Sequence, residues 1–336
     1  MHEVATLARV SIKSVSRVVN GEPTVSPQIA SRVQDAIRLL DYRPNVAAIS
    51  LRRADHKTST IGLLLEDVAN PFSSALHRAV EDTAARHRML VFAGSSDEEP
   101  QRAREVIAAF ASHRVDGLIV MPAGGHRDWL LVDQQRQGKP VVIVDRLVDF
   151  LDTDSVTVDN RVASRQALRH LAAHGHRRIA FLGDARSIWT ARERHAGYSD
   201  GLSREGIPYD PELVRHDFPS IELAEGAALD LLASADPPTA FFTAQNLITV
   251  GAVRAIRQRG LQRRVALLGF DDLMLADLLD PAVSAIVQDP RAVGQLAAEL
   301  LFARLNGDST PPKHVVVPTR LVMRGSGEIP GPGAGS

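Results

Sequence analysis

Apolar residues recur at helical spacing in three short segments of the first 45 residues, beginning near positions 3, 12 and 27. Ser11 stands where the N-cap of the second segment is expected, and Ser26 followed by Pro27 is the corresponding signal for the third. An Asn-Gly pair ends the second segment, and Pro44 ends the third. The pattern predicts three helices. Their inward-facing positions are Val4, Leu7 and Ala8, then Val15, Val18 and Val19, then Ile29, Val33, Ile37 and Leu40.

Two helices joined by a tight turn, the second with polar and basic residues near its start, form a helix-turn-helix. Lys13, Ser14 and Arg17 lie on the polar face of the predicted second helix. The major groove of DNA admits one helix, and side chains near its start reach the base edges. This segment therefore predicts a DNA-reading head, with a three-helix protein-docking cap as the alternative.

From residue 60 the pattern changes to short apolar runs that alternate with amphipathic segments. Continuous apolar strands separated by helices are typical of parallel sheets covered on both faces. The alternation occurs twice in series, which predicts an α/β body of two Rossmann-like lobes with a ligand cleft at the carboxyl ends of the strands. The predicted strands are 61–65, 89–94, 117–121, 141–145, 178–183, 239–244 and 265–270, and the predicted helices are 73–86, 101–113, 161–174, 190–205, 223–234 and 248–259.

These patterns divide the chain into four parts. Residues 1–45 form the head, 46–58 a hinge helix or linker, and 59–327 the two-lobed body. Residues 328–336 are rich in Pro and Gly, which predicts a disordered tail.

Composition narrows the class of protein. The 336 residues correspond to about two domains of roughly 150 residues and a smaller module. The absence of Cys excludes disulfides and thiolate sites, and no apolar run reaches the length of about 18 residues that a membrane helix needs. The N-terminus has no apolar signal segment, so we expect a cytoplasmic protein with no membrane partner.

The net charge of −1 hides an asymmetry between the head and the rest of the chain. Residues 1–57 contain nine Lys or Arg and five acidic residues, a net charge of +4, so the remainder carries −5. A basic head on an acidic body indicates that the head meets a polyanion, although a solvated basic face would have the same composition.

The chain has none of the short motifs that mark the common nucleotide-binding and hydrolytic enzymes, so we expect neither an enzyme nor a cofactor. His170, His174 and His176 allow a zinc site as an alternative, but they surround a predicted helix end, where basic groups suit the helix dipole. We therefore expect no metal. The acidic residues of 149–154 predict a solvated loop.

Several segments together resemble the lac-repressor/galactose-repressor (LacI/GalR) family. VSRVVNG (15–21) and YRPN (42–45) match its DNA-binding head, and VANPF (68–72), PVVIVDR (140–146), RERHAGY (192–198) and LLGFDD (267–272) match its marker segments. The resemblance implies a ligand-responsive transcription regulator, most often a repressor, that binds a near-palindromic operator as a homodimer.

The resemblance also implies the architecture of the body. It implies lobes of periplasmic-binding-protein type that bind a sugar or a similar small polar metabolite and carry the dimer contacts, with the helix near 73–86 a candidate. On this basis the N-lobe holds about 59–157 and 290–316, and the C-lobe about 158–289 and 317–327.

The DNA-binding residues are those at positions that match the family's contacts. Arg17 is long enough for a bidentate contact to guanine, and Leu51 matches a hinge leucine that wedges into the minor groove. For the serines a helix cap is the alternative, and for Leu51 the alternative is ordinary core packing. The implied set is Ser11, Ile12, Lys13, Ser16, Arg17, Asn20, Ser26, Asn45, Ala48 and Leu51.

Matched positions in the body imply an effector site. Arg194 and Asp271 suit the hydroxyl groups of a polyol, which both donate and accept hydrogen bonds, whereas the alternative is a structural salt bridge. Phe218 is expected either to stack on a ligand or to pack in the core. Arg192 is the second candidate, after Arg194, for the arginine that reaches into the cleft. The implied set is Asn70, Phe72, Asp145, Arg192, Arg194, Phe218, Gln245, Asn246 and Asp271.

The chain departs from the family pattern at four points. Only two residues precede Glu3, so the first helix lacks its usual Thr cap, which an upstream start codon would supply. Arg9 replaces a turn glycine, and Ile49 stands where arginine is common. The pair 245–246 is Gln-Asn instead of Asn-Asp, which removes a carboxylate from the cleft.

Two other classes of function share parts of this pattern. A sugar-binding transport protein has the same two-lobed body but needs an export signal and no basic head. An enzyme on a Rossmann-like scaffold needs a nucleotide fingerprint, which the sequence lacks.

Overall fold

A computed structural model describes residues 1–19, 24–42, 58–125 and 127–332 of the chain. It separates into two compact units, Met1–Thr58 and Ser59–Ser336, which we call the head and the body.

The head contains helices α1 (His2–Ala8), α2 (Ile12–Val19) and α3 (Pro27–Leu39). Val4, Val15 and Val33 are fully buried and join the three helices in one small core. Ser11 Oγ accepts a hydrogen bond of 3.1 Å from the amide of Ser14, so it caps α2 as expected. Ser26 occupies the N-cap of α3 in an extended conformation, without a side-chain cap bond.

The turn between α1 and α2 is fixed by a side chain from α3. Arg9 ends α1 with a φ of 49°, in the left-handed region where glycine costs least. The guanidinium of Arg32 donates hydrogen bonds to the carbonyls of Ala8 and Arg9. Three helices too short to bury much apolar surface are thereby held at a defined angle.

The N-lobe of the body is built around a six-stranded, fully parallel sheet with strand order β11-β5-β4-β3-β1-β2. Helix α11 packs against α4 beside this sheet. The elements of this lobe are β1 (Thr60–Leu65), α4 (Pro71–Arg86), β2 (Leu90–Ser95), α5 (Pro100–Ser112), β3 (Gly117–Val120), α6 (Trp129–Arg136), β4 (Val141–Val144), β5 (Asp154–Val158), α11 (Pro290–Leu305) and β11 (His314–Val317).

The C-lobe repeats this topology with strand order β12-β10-β9-β8-β6-β7, in which only β12 is antiparallel to its neighbour among the described strands. Helices α7 and α8 pack together, as do α9 and α10. The elements of this lobe are α7 (Asn160–Ala173), β6 (Ile179–Leu182), α8 (Trp189–Arg204), β7 (Val214–Arg215), α9 (Ile221–Leu232), β8 (Ala240–Thr243), α10 (Asn246–Gln258), β9 (Ala266–Phe270), β10 (Ser284–Val287) and β12 (Arg320–Val322).

The predicted fold class, a three-helix head with two parallel-sheet α/β lobes, is confirmed. The seven predicted strands and six predicted helices of the body all exist. The predicted elements did not include α6, β5, β7, β10, α11, β11 and β12. Strands β11 and β12 are short and partly exposed at the sheet edges, so their apolar runs are at most three residues long and give only a weak strand signal.

The Pro/Gly-rich segment after residue 327, which was predicted to be a disordered tail, packs against the body. Ile329 is 8% exposed and belongs to the main core, and its carbonyl lies 2.8 Å from Nε2 of His176. Glu328 pairs with His170 at 2.8 Å. The prediction of disorder from 328 is therefore wrong for residues 328–332, because the histidines predicted to mark a helix end hold this segment.

The predicted solvated loop of 149–154 is also wrong at its last residue. Asp154 is 2% exposed and begins β5, which lies between β4 and β11. Its carboxylate accepts two hydrogen bonds, of 2.7 and 2.8 Å, from Arg304. The partner is 150 residues away, so the sequence around 154 does not signal the burial.

Among the helices that the structure describes, none has both the length and the apolar character needed to cross a membrane.

Arg9→Gly should stabilise the head by about 0.5–1 kcal/mol, because glycine adopts the left-handed conformation without a Cβ clash and the gain exceeds its added flexibility in the unfolded chain. The measurement is native-state hydrogen exchange of the α1 and α2 amides in the full chain. Arg9→Ala is the matched control, since it removes the same side chain but keeps a Cβ; equal effects of the two substitutions would contradict the backbone explanation.

Candidate functional site

The two sheets present equivalent carboxylates at the ends of equivalent strands. Asp145 follows β4 and Asp271 follows β9, the third strand in each sheet order. Both residues adopt a left-handed backbone, with φ of 66° and 72°. The amide of each bonds to the next strand, at 2.9 Å for Asp145 and 2.8 Å for Asp271. These turns bring both side chains to the cleft, as expected for the carboxyl edge of parallel sheets.

A small cavity of about 30 Å³ lies between the lobes at these strand ends. Its walls come from both lobes and are polar for the most part. The lining residues are Glu66, Asn70, Phe72, Asp145, Arg146, Asp184, Thr190, Ala191, Arg194, Ala244, Gln245, Asp271 and Gln288.

Arg194 is held from several directions. Its Nε donates to Asn160 Oδ1 at 2.7 Å, and its Nη1 donates to the carbonyl of Ala244 at 2.7 Å. The guanidinium carbon lies 3.8 Å from the centre of the Phe270 ring, and Nη1 lies 3.7 Å from a carboxylate oxygen of Asp271. A planar cation with so many fixed contacts is preorganised to bind.

Asp271 is the counterpart of Arg194 on the same wall. It accepts a hydrogen bond from Nε2 of Gln288. Burial raises the pKa of Asp271, while Arg194 and the Gln288 bond act in the opposite direction. The structure therefore brings Arg194 and Asp271 together as predicted. The two side chains form a salt bridge and also line the cavity.

The N-lobe wall is organised by Arg146, whose side chain is 5% exposed. Its guanidinium donates to both carboxylate oxygens of Glu98, to the carbonyl of Pro122 at 2.7 Å and, through Nε at 3.4 Å, to Asp145. This network fixes one cation and one carboxylate as a bidentate pair behind the cavity.

Glu66 and Asp184 add carboxylates from opposite lobes. Burial raises the pKa of Glu66 to about 8; Arg146 at 3.9 Å lowers it, and Glu98, Asp184 and Asp145 raise it further. Burial also raises the pKa of Asp184, opposed by the amide of Ala185. The cleft therefore holds carboxyl groups that resist ionisation.

Some predicted site residues line the cavity and others only support it. Asn70, Phe72 and Gln245 line it. Asn246 donates to Asn70 Oδ1 at 3.0 Å and so joins the two lobes, while Gln245 Oε1 caps α10. The Gln-Asn pair that replaces the family's Asn-Asp thus contributes a helix cap and a contact between lobes.

Two predicted residues lie elsewhere. Phe218 packs against the second core of the C-lobe and is absent from the lining of the described cavity. Arg192 is exposed and donates to the carbonyls of Arg186 and Ser187 at 3.1 and 2.9 Å. It lines an adjoining, larger pocket of about 490 Å³, which shares Arg146 with the inner cavity.

The residues that the sequence reasoning missed at this site include Glu66, Glu98, Arg146, Asp184 and Gln288. Glu66 directly follows the predicted strand 61–65, and Asp184 directly follows 178–183, so the strand-end rule could have found both. No three His, Asp or Glu side chains are grouped as a metal site requires within the described ranges.

In the head, Ile12 is 38% exposed at the start of α2, and Lys13 is exposed on the side of the helix opposite its buried Val15. Ser11 and Ser26 are exposed, whereas Ser16 and Arg17 are half-buried. Four predicted DNA-binding residues, Asn20, Asn45, Ala48 and Leu51, lie outside the described residues, as does most of the predicted hinge.

Comparison with known sequences gives matches over nearly the whole chain. Residues 1–45 match the sequence profile described as bacterial regulatory proteins, lacI family, and residues 168–327 match the periplasmic binding protein-like domain. The HTH-type transcriptional regulator PtxS of Pseudomonas aeruginosa is 34% identical over 97% of this chain and 95% of its own. Catabolite control protein A of Priestia megaterium is 29% identical over 97% of this chain and 98% of its own.

Comparison with solved structures also finds similarity to transcription regulators. The chain is similar to the lac repressor dimer bound to operator and the anti-inducer ONPF, with a TM-score of 0.85, 26% identity and coverage of 96% of this chain and 97% of that one. It is also similar to a transcriptional regulator CelR–cellobiose complex, with a TM-score of 0.72, 29% identity and coverage of 96% and 98%.

Glu66 should make the unliganded protein lose stability as the pH rises. A folded-state pKa near 8 against an ordinary value of 4.5 means that the folded state holds a proton that the unfolded state has released, so the free energy of unfolding falls between these two pH values. Relative to Glu66→Gln, the wild type should lose on the order of 3 kcal/mol over this range.

Urea unfolding at a series of pH values measures this difference, with Glu105→Gln on the exposed face of α5 as the control. Parallel pH profiles for the wild type and Glu66→Gln would contradict the assignment.

Proposed function

The chain belongs to the LacI family of bacterial regulatory proteins, and we propose that its head reads a near-palindromic operator while its cleft binds the small polar effector that tunes operator affinity. It is a ligand-responsive, DNA-binding transcription regulator and not an enzyme. The observation that carries the proposal is one chain with both a basic helix-turn-helix and a preorganised polar cavity between two lobes.

Operator reading is assigned to the exposed start of α2. Ile12, Lys13 and Arg17 contact base edges in the major groove, and the serines of the predicted set contact phosphates. The Arg32 tie across the α1–α2 turn supports this role, because it sets the angle at which α2 enters the groove. Leu51 is proposed to enter the minor groove between two half-sites.

Effector control is assigned to the angle between the lobes. The chain passes between them three times, after Val158, after Val287 and after Val317. A ligand that bridges Arg194 in the C-lobe and Asp145 in the N-lobe stabilises one lobe angle. Ligand and operator then alter each other's affinity by the same factor, typically about 5–150-fold.

The regulator acts as a homodimer, and two heads match the two half-sites of an operator. We place part of the dimer contact on α4 and the neighbouring edge strand β2, where Leu90 is 68% exposed and Phe92 39% exposed. The protein is proposed to work in the cytoplasm, where the chromosome is accessible.

The full-length protein should retard DNA from upstream of its own gene, and the affinity should fall on the order of a thousandfold between about 50 and 200 mM salt, because several phosphates are neutralised. A gel shift with a scrambled competitor of equal length provides the control. Absence of retardation at low salt would refute operator binding.

Arg17→Ala should relax base preference at one position of each half-site by about 1–3 kcal/mol, because a bidentate contact to guanine is lost. Arg38→Ala removes the same charge from an arginine of α3 whose side chain is 76% exposed, and should leave the preference unchanged. Binding to a library of single-base operator variants measures both. Uniform weakening by Arg17→Ala on every sequence would make Arg17 a phosphate contact instead.

A further inference from the structure

The cleft holds more negative than positive groups. The charged side chains in and directly behind the cavity are Glu66, Glu98, Asp145, Asp184 and Asp271 against Arg146 and Arg194. Arg146 is shared by three of them, since it bonds Glu98 at 2.9 Å and Asp145 at 3.4 Å and lies 3.9 Å from Glu66. Arg194 lies 3.7 Å from Asp271. Five carboxylates therefore share two cations, which leaves a surplus of three negative groups when all are ionised.

The surplus is divided between the two walls. The N-lobe contributes three of the carboxylates and Arg146, and the C-lobe contributes Asp184, Asp271 and Arg194. Both walls are negative when ionised, so they repel each other across the cavity in a partly desolvated space. A positive group between them would remove this repulsion.

Gln288 provides a second, independent observation. The side chain is 8% exposed, and its Nε2 donates to Asp271, which settles which end of the amide is nitrogen. Its Oε1 is buried at the cavity and has no hydrogen-bond partner among the described residues. A buried acceptor of this kind requires a donor, so the cavity wall calls for N–H or O–H groups on the ligand.

We propose that the effector is a small organic cation that presents a protonated amine to the surplus carboxylates and to Gln288. An ammonium group supplies three donors and a positive charge, which answers both observations. A neutral polyol would satisfy Gln288 but leave the carboxylates uncompensated, and a sugar acid would add to the repulsion. A divalent metal is disfavoured because the described residues bring no three ligating groups together.

The proposal rests on the cleft being the effector site and adds a reason for lobe closure. A cation placed between Glu66 and Asp184 is attracted to both lobes at once, so it favours the angle that brings them together. Binding would also lower the pKa of Glu66, so protons are released as the complex forms.

The first test is isothermal titration calorimetry of the full-length protein at about pH 6.5, where the amines used carry their proton. The probes are glucosamine and putrescine, with glucose and gluconate as the neutral and anionic counterparts of glucosamine. At least one amine should bind about tenfold or more tightly than glucose, with gluconate weaker still. If only glucosamine binds, the effector is a polyhydroxylated amine. If only putrescine binds, the effector is an aliphatic amine.

The second test uses substitutions in the surplus carboxylates. Glu66→Gln and Asp184→Asn should each weaken amine binding about tenfold or more, while Glu105→Gln leaves it unchanged. The melting temperature of each unliganded variant should equal or exceed that of the wild type at about pH 8, since a buried charge has been removed. If these carboxylates instead stabilised the fold beside Arg146, the substitutions would lower the melting temperature.

Three outcomes would overturn the inference: no binding of either amine at about 10 mM, glucose or gluconate binding as tightly as the tighter-binding amine, or unchanged amine affinity in both variants. Operator retardation without any effector is a separate measurement. It tests the proposed function and is expected to persist whichever ligand the cleft takes.

Discussion

The carboxyl ends of parallel strands meet at one edge of a sheet, and everything in the body depends on this constraint. Two such sheets, crossed three times by the chain, face their polar ends toward a single cavity. The equivalence of Asp145 and Asp271, with the same strand position and the same left-handed turn, shows how strictly the topology is repeated. A chain with antiparallel lobes would scatter these side chains over opposite edges.

The arginine side chains of the cavity are held rigidly, whereas its buried carboxyl groups destabilise the folded protein when they ionise. Arg194 and Arg146 have their guanidinium groups tied to backbone carbonyls and to fixed acceptors, so they do not adapt to a ligand. Glu66, Asp184 and Asp271 lie in the same space with raised pKa values. Such arrangements are typical of functional sites, where stability is given up for binding.

The head is stabilised differently from the body, because it has few residues with which to build a hydrophobic core. Among the described residues of the head, the fully buried side chains are short ones, namely Val4, Val15 and Val33. A hydrogen-bonded arginine, Arg32, therefore does part of the positioning that a larger core would do by packing. The left-handed turn at Arg9 persists since both neighbouring helices and Arg32 determine it.

The sequence alone determined the three head helices and the two α/β lobes, because periodicity carries that information. The pairing of Arg194 with Asp271 was implied by the family resemblance of the segments that contain them. Only the tertiary structure decided that Asp154 is buried against Arg304 and that residues 328–332 pack on the C-lobe. It also packed Phe218 against the second core of the C-lobe and placed Glu66, Asp184 and Gln288 at the cavity. These contacts join residues far apart in the chain, and burial by a distant partner leaves no pattern in the local sequence.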